Sequence, residues 1–105
     1  MGQFFAYQNP NPQTQRQYPY LLDIQNDLLS ELRTTIVIPL SPTHSVASMR
    51  LTRLNPIVSI ENESFTVMTQ DIAGIDRNQL GAKTFNLSSY RADIMAAVDF
   101  VLSGF

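Results

Sequence analysis

The chain has 105 residues, no cysteine, and nine acidic against seven basic side chains, for a formal net charge of −2. The lack of thiols excludes a disulfide framework, a thiolate metal site and a cysteine nucleophile. The charge leaves no basic footprint for holding nucleic acid by bulk electrostatics, and the length suits one domain, residues 1–105, with a core of its own.

Residues 3–7 are short and rich in aromatics and predict an opening strand, with Phe5 and Tyr7 on one face and Phe4 and Ala6 on the other. Residues 8–17 are polar apart from Pro10 and Pro12, show no periodicity, and read as a mobile loop. Residues 18–24 predict a second strand, which Pro19 places at an edge or at its own beginning. Gln25-Asn26-Asp27 interrupts it, and Leu28-Leu29 resumes apolar character. Residues 34–40 carry the strongest strand signal, because Ile36-Val37-Ile38 are β-branched in a row and predict burial on both faces, with Pro39 marking the end.

After Pro42 opens a turn, residues 45–51 fit either a short strand or a helical turn. Residues 57–60 and 65–69 flank the polar turn 61–64 and predict a hairpin. Residues 71–75 are semi-apolar and stop at Asp76-Arg77-Asn78, and Gly81 breaks the chain again. Asn86, Ser88 or Ser89 then offers an N-cap for a terminal helix, in which Tyr90, Ile94, Ala97, Val98, Val101 and Phe105 recur at helical spacing. Gly104 sits where a helix stop belongs. Met95, Ala96, Phe100 and Leu102 widen the apolar stripe, so the helix is expected to be covered on more than one side, by loops of its own chain or by a second subunit. Five or more β-segments followed by one helix define an α+β chain.

Chemistry is sparse. Gly2, Gly74, Gly81 and Gly104 are scattered and build no phosphate-binding loop. His44 is the single histidine, which excludes a two-histidine metal site within one chain, and it reads as a surface residue. Ser45, His44 and Asp71 make a triad on paper only. Asp23 with Asp27, and Glu61 with Glu63, read as solvated turn carboxylates, and Arg50 with Arg53 is the one close basic pair. The N-terminus has neither a basic n-region nor a long apolar h-region, Tyr7 stands where a myristoylation signal needs Ser or Thr, and residues 94–102 are too short to span a bilayer, so a cytoplasmic soluble protein is expected. The remaining signals concern binding: the apolar segment 100–105, and Leu28-Leu29 beside polar neighbours, each either core or contact patch.

In order along the chain, Gln3-Phe4 with Tyr7, residues 22–29 (Leu-Asp-Ile-Gln-Asn-Asp-Leu-Leu), residues 36–40 (Ile-Val-Ile-Pro-Leu), Pro56 with 57–60, residues 67–73 and residues 91–104 resemble the CcdB family, toxins of plasmid-type toxin–antitoxin modules. The resemblance implies an SH3-like β-barrel, shared with MazF-type toxins, with a small extra sheet and a C-terminal α-helix. It implies a homodimer with the helices near the two-fold axis, and no enzyme activity, metal or cofactor. It implies binding to the DNA gyrase A subunit, trapping of the gyrase–DNA cleavage complex, and neutralisation by a CcdA-like antitoxin whose disordered segment folds on binding. Operator DNA would be contacted only through the antitoxin complex. The positions matching the family's gyrase-binding surface are Gln3, Phe4, Leu28, Leu29, Asp99, Leu102, Ser103, Gly104 and Phe105. Ser103 stands where the family carries Trp, Asp99 where it carries Asn, and Asp76 where it carries Pro, while Phe105 returns aromatic surface to the tail. Two other readings stay open: a non-toxic homologue that acts as antitoxin-binding partner and operon co-regulator, and a MazF-like ribonuclease, for whose acid–base and phosphate chemistry only His44 and a few arginines are on offer.

Overall fold

The computed structural model describes residues 2–46 and 53–104. In chain order the elements are strands β1 (Phe5–Gln8) and β2 (Tyr20–Asp23), a 3₁₀ turn at Asp27–Leu29, β3 (Thr34–Pro42), the single turn α1 (Thr43–Val46), β4 (Ile57–Ile60), β5 (Glu63–Val67), β6 (Ala73–Asp76), β7 (Thr84–Asn86) and α2 (Arg91–Ser103). Short 3₁₀ turns at Thr69–Asp71, Arg77–Gln79 and Ser88–Tyr90 join the later elements. The strands run in the order β4-β5-β3-β2-β1-β7, with β6 paired to β3 off that path.

β3 organises the sheet. One edge pairs antiparallel with β2, from Tyr20↔Leu40 to Asp23↔Val37. The other edge is shared: β6 takes Thr34 to Val37, and β5 takes Leu40 to Pro42. The sheet splits where one partner gives way to the next and curls into a half-barrel. Pro39, expected to end the strand, instead lies at this changeover. Its carbonyl accepts the Met68 N–H at 3.0 Å. In a strand the nitrogen of a residue points to the same edge as its carbonyl, so the missing donor of Pro39 falls where no ladder bond is required.

Alternation along β1, β2 and β3 places Ala6, Leu22 and Ile38 in one line across the sheet, all fully buried. With Leu40, Val58, Phe65 and Val67 they form the inner face, on which α2 lays Ile94 and Val98. Each of these side chains other than Ala6 contributes roughly 1.5–3 kcal/mol on burial. Burial on both faces of β3 begins at Val37, whereas Ile36 is 41% exposed. Phe4 departs from the expected strand: its φ of 66° is left-handed, and β1 begins at Phe5. The conformation is held because the Phe4 N–H donates to Asp23 O at 2.6 Å, its carbonyl accepts the Leu87 N–H at 2.8 Å, and the side chain is buried in the core.

The β4–β5 hairpin turns on two residues, Glu61 and Asn62, both at positive φ, the sense that matches the twist of the strands. β5 stops at Val67, and the expected strand residue Thr69 opens a 3₁₀ turn instead. The expected caps do not start α2. Asn86 Oδ1 accepts the Ser88 N–H at 2.9 Å ahead of the 3₁₀ turn, and α2 begins only after Tyr90, which makes no side-chain cap bond. Within the segment left open between strand and helical turn, residues 45 and 46 belong to α1; the rest of it lies outside the described residues.

Candidate functional site: the Leu28 loop and the end of α2

The residues expected to meet a partner fall into two groups. The first surrounds the 3₁₀ turn between β2 and β3. Asn26 Oδ1 caps that turn by accepting the Leu28 N–H at 2.8 Å. Leu28 is 91% exposed, and Leu29 and Leu32 are about half exposed. Leu28-Leu29 are therefore not core, and Leu32 extends the exposed apolar surface they form. Gln3 ties the N-terminal segment to this loop, donating its backbone N–H to Asp27 Oδ1 at 2.8 Å and its side-chain amide to Ile24 O at 3.2 Å. Phe4 offers no surface of its own; its ring is buried, with the Arg91 guanidinium 5.5 Å from its centroid.

The second group ends α2. Ile94, Ala97 and Val98 are buried, Met95, Phe100 and Val101 are half-buried, and Ala96 and Leu102 are exposed. The wide stripe therefore leaves apolar surface uncovered within one chain. Gly104 closes the helix in the left-handed region at φ 79°, and its N–H donates to Phe100 O at 2.8 Å. That conformation is the reason for glycine here, because open space surrounds the position where a Cβ would sit. Ser103 Oγ donates to Asp99 O at 2.7 Å, while Asp99 itself is exposed. The Arg53 guanidinium stacks over Phe100 at 4.7 Å. Phe105 and Arg50 lie outside the described residues. Phe4 touches the beginning of α2, so the tail lies about 12–20 Å further along the helix axis at ~1.5 Å per residue.

Asp23 corrects a sequence expectation. It is no solvated turn carboxylate but is 1% exposed, accepting from Thr35 Oγ1 at 2.8 Å and from the Gln25 N–H at 3.1 Å, with Arg77 Nη1 3.8 Å away. The available signal was its place in β2: a carboxylate in strand alternation, beside Leu22, needs a partner. Arg77 was not singled out by sequence, since it stands 54 residues from Asp23 and nothing local marks it. The Tyr7 phenol is pushed up by burial, with the Asp23 charge adding to it.

Sequence reading also missed a cleft of about 490 Å³ on the outer face of the sheet. Leu21, Val37, Pro39, Ala73 and Ile75 form its floor, and the 9–18 loop forms one wall. That loop is tied internally, because buried Asn9 donates to both Thr14 Oγ1 and Tyr18 O. Tyr18 donates its hydroxyl to Asp71 Oδ2 at 3.1 Å; burial raises the phenol, and the bond to Asp71 raises it further. Asp71 is thus engaged with Tyr18, and His44 is exposed. Among the described residues no helix is long and apolar enough to cross a membrane, and no cluster of three or more His, Asp or Glu is placed to hold a metal ion.

A curled antiparallel half-barrel with one C-terminal helix on its inner face is an α+β arrangement of the SH3-like barrel kind. A family model described as CcdB protein matches residues 3–104. The chain belongs to the CcdB family, the toxins of toxin–antitoxin modules.

Proposed function

We propose that the chain is a cytoplasmic toxin that binds the DNA gyrase A subunit, traps the gyrase–DNA cleavage complex, and is neutralised by a CcdA-like antitoxin. The carrying observation is the family match itself, which runs from Gln3 through Gly104 and so includes both the loop and the tail. The chain is not an enzyme on this reading; it acts by binding, and gyrase supplies the chemistry. Its working form is a homodimer, in which the uncovered apolar side of α2 finds its cover. Exposed Leu28, Leu29 and Leu102 supply the apolar contact, Gln3, Asp99, Ser103 and Gly104 are further contact residues, and Phe105, outside the described residues, is assigned to the same surface from the family's pattern. Phe4 contributes from beneath by seating Arg91. Operator DNA is reached only through the antitoxin complex.

One observation favours a second reading, that of a homologue that keeps antitoxin binding and operon co-regulation without poisoning. The Ser103 hydroxyl is spent on Asp99 O at 2.7 Å. The position that carries an indole in the family therefore presents little to a partner, and loss of an interface anchor costs roughly 2 kcal/mol or more.

The deciding experiment is a cleavage assay with purified protein, gyrase, ATP and supercoiled plasmid, read as linear DNA after denaturing the enzyme. Linear product that disappears on deleting residues 103–105 is the expected result. A folded dimer that yields no linear DNA yet binds a CcdA-like antitoxin gives the second reading. Linear product that survives the deletion removes the tail from the site.

A further inference from the structure

Residues 26–34 are exposed throughout, and the 3₁₀ turn at Asp27–Leu29 buries none of its residues. A loop without an apolar anchor is held in place by hydrogen bonds. Its own bonds, Leu29 N–H to Asn26 O at 2.9 Å, Ser30 N–H to Asp27 O at 3.0 Å and Leu32 N–H to Leu29 O at 3.1 Å, set its shape but not its position on the sheet. Position comes from outside. Gln3 holds Asp27 at one end. The Gln25 side-chain amide is shared between Leu29 O at 3.4 Å and Thr34 O at 3.2 Å.

Arg77 makes the largest set of these ties. Its Nε donates to Leu32 O at 2.6 Å, its Nη2 to Leu29 O at 3.2 Å, and its backbone N–H to Arg33 O at 2.8 Å. Three carbonyls within five consecutive residues thus bond to one arginine. The remaining guanidinium nitrogen lies 3.8 Å from the carboxylate of buried Asp23. Asp23 is in turn fixed by Thr35 and by the Gln25 N–H. The pairing of β6 with β3, up to Thr34↔Asp76, brings Arg77 to this point. A planar fork with donors in fixed directions can grip two carbonyls and face a carboxylate at once; a lysine ammonium on a flexible stem cannot match that geometry.

We infer that Arg77 is the positioning residue of the binding loop: anchored against Asp23, it grips the loop carbonyls and so presents Leu28 and Leu29 to the protein partner. The identity of the partner rests on the gyrase reading above; the grip on the loop does not.

The test is Arg77→Lys, which keeps the charge beside Asp23 and loses the fork. Amide hydrogen exchange is expected to quicken about tenfold at residues 29–32, with β1, β2 and α2 unchanged. Affinity for the gyrase A subunit is expected to fall about tenfold, and that loss is expected to shrink to less than about twofold in a Leu28→Ala, Leu29→Ala background, because the arginine acts through the leucines. A second variant, Arg77→Gln with Asp23→Asn, neutralises both ends, leaves no unpaired buried carboxylate, and should give the same loop signature. Unchanged loop exchange in both variants overturns the inference. So does an affinity loss that stays tenfold without the leucines, which would make Arg77 a direct contact. If the unaltered chain does not bind gyrase A, the functional reading fails, while the exchange measurement still decides the grip.

Discussion

Leu102 at the end of α2 and Leu28 in the β2–β3 loop are both exposed, at 75% and 91%, yet they stand on different supports. Leu102 belongs to a helix rooted in the core by Ile94, Ala97 and Val98. Leu28 belongs to a loop whose residues are all exposed and whose position depends on Gln3, Gln25 and Arg77. The helix side derives its order from apolar burial, which is non-directional and summed over many atoms. The loop side derives its order from a few directed bonds, of which the largest set, that of Arg77, is backed by one buried carboxylate, Asp23. A partner that touches both meets one stiff and one adjustable surface.

The comparison breaks most directly at the roots. Ile94→Ala removes a fully buried side chain facing the sheet, and about 2–5 kcal/mol of stability is expected to go with it, read from urea midpoints at fixed protein concentration. Asp23→Ala strips the carboxylate from Thr35 and from Arg77, and about 1–3 kcal/mol is expected to be lost. The loss should be accompanied by faster exchange in the 26–34 loop and none in α2. If Asp23→Ala loosens α2 as much as the loop, the two sides do not have separate supports.

Alkaline titration sharpens the same contrast. Burial, first, and then the Asp23 charge raise the Tyr7 phenol above 10.0, and burial followed by the bond to Asp71 raises that of Tyr18. A raised folded-state value means that the fold favours the neutral phenol. The stabilisation is complete below pH 10.0 and is lost as pH rises through the higher folded values. Denaturation followed by pH should therefore show a decline that starts near the unfolded tyrosine value, and Tyr7→Phe should flatten part of it.

The parts of the fold visible in sequence are those whose cause is local. The periodicity of residues 94–101 and the stop at Gly104 follow from helix geometry, and α2 ends as expected. The hairpin around Glu61-Asn62 follows from a polar turn between two apolar runs. What escaped has a distant cause. Pro39 looked like an end because a proline inside a central strand ordinarily lacks a ladder bond; only the handover from β6 to β5 removes that need. Asp23 looked solvated because its partners Thr35 and Arg77 are brought to it by the sheet. Leu28-Leu29 was legible as a choice between core and patch, and exposure removes the core from that choice. Arg77 carried no signal that composition or spacing would reveal.

The smallest expected effects separate the two sides again. Leu28→Ser and Leu102→Ser both replace side chains that the single chain leaves in water, so each should change the stability of the isolated chain by no more than about 0.5 kcal/mol. In a dimer the two need not behave alike. A leucine covered by the second copy stabilises the assembly, and its loss appears as a thermal midpoint that falls more steeply on dilution than that of the unaltered protein. A leucine reserved for another partner leaves the concentration dependence untouched and weakens only that association. The apolar stripe of α2 is wider than one sheet face covers, and its end also carries part of the proposed gyrase contact, so Leu102→Ser is expected both to steepen the dilution curve and to weaken gyrase A binding. The loop is held by polar ties with its leucines turned to solvent, so Leu28→Ser is expected to leave that curve alone and to weaken gyrase A binding. A dilution curve steepened by Leu28→Ser and untouched by Leu102→Ser would instead place the two-fold contact on the loop and leave the helix end to the partner alone.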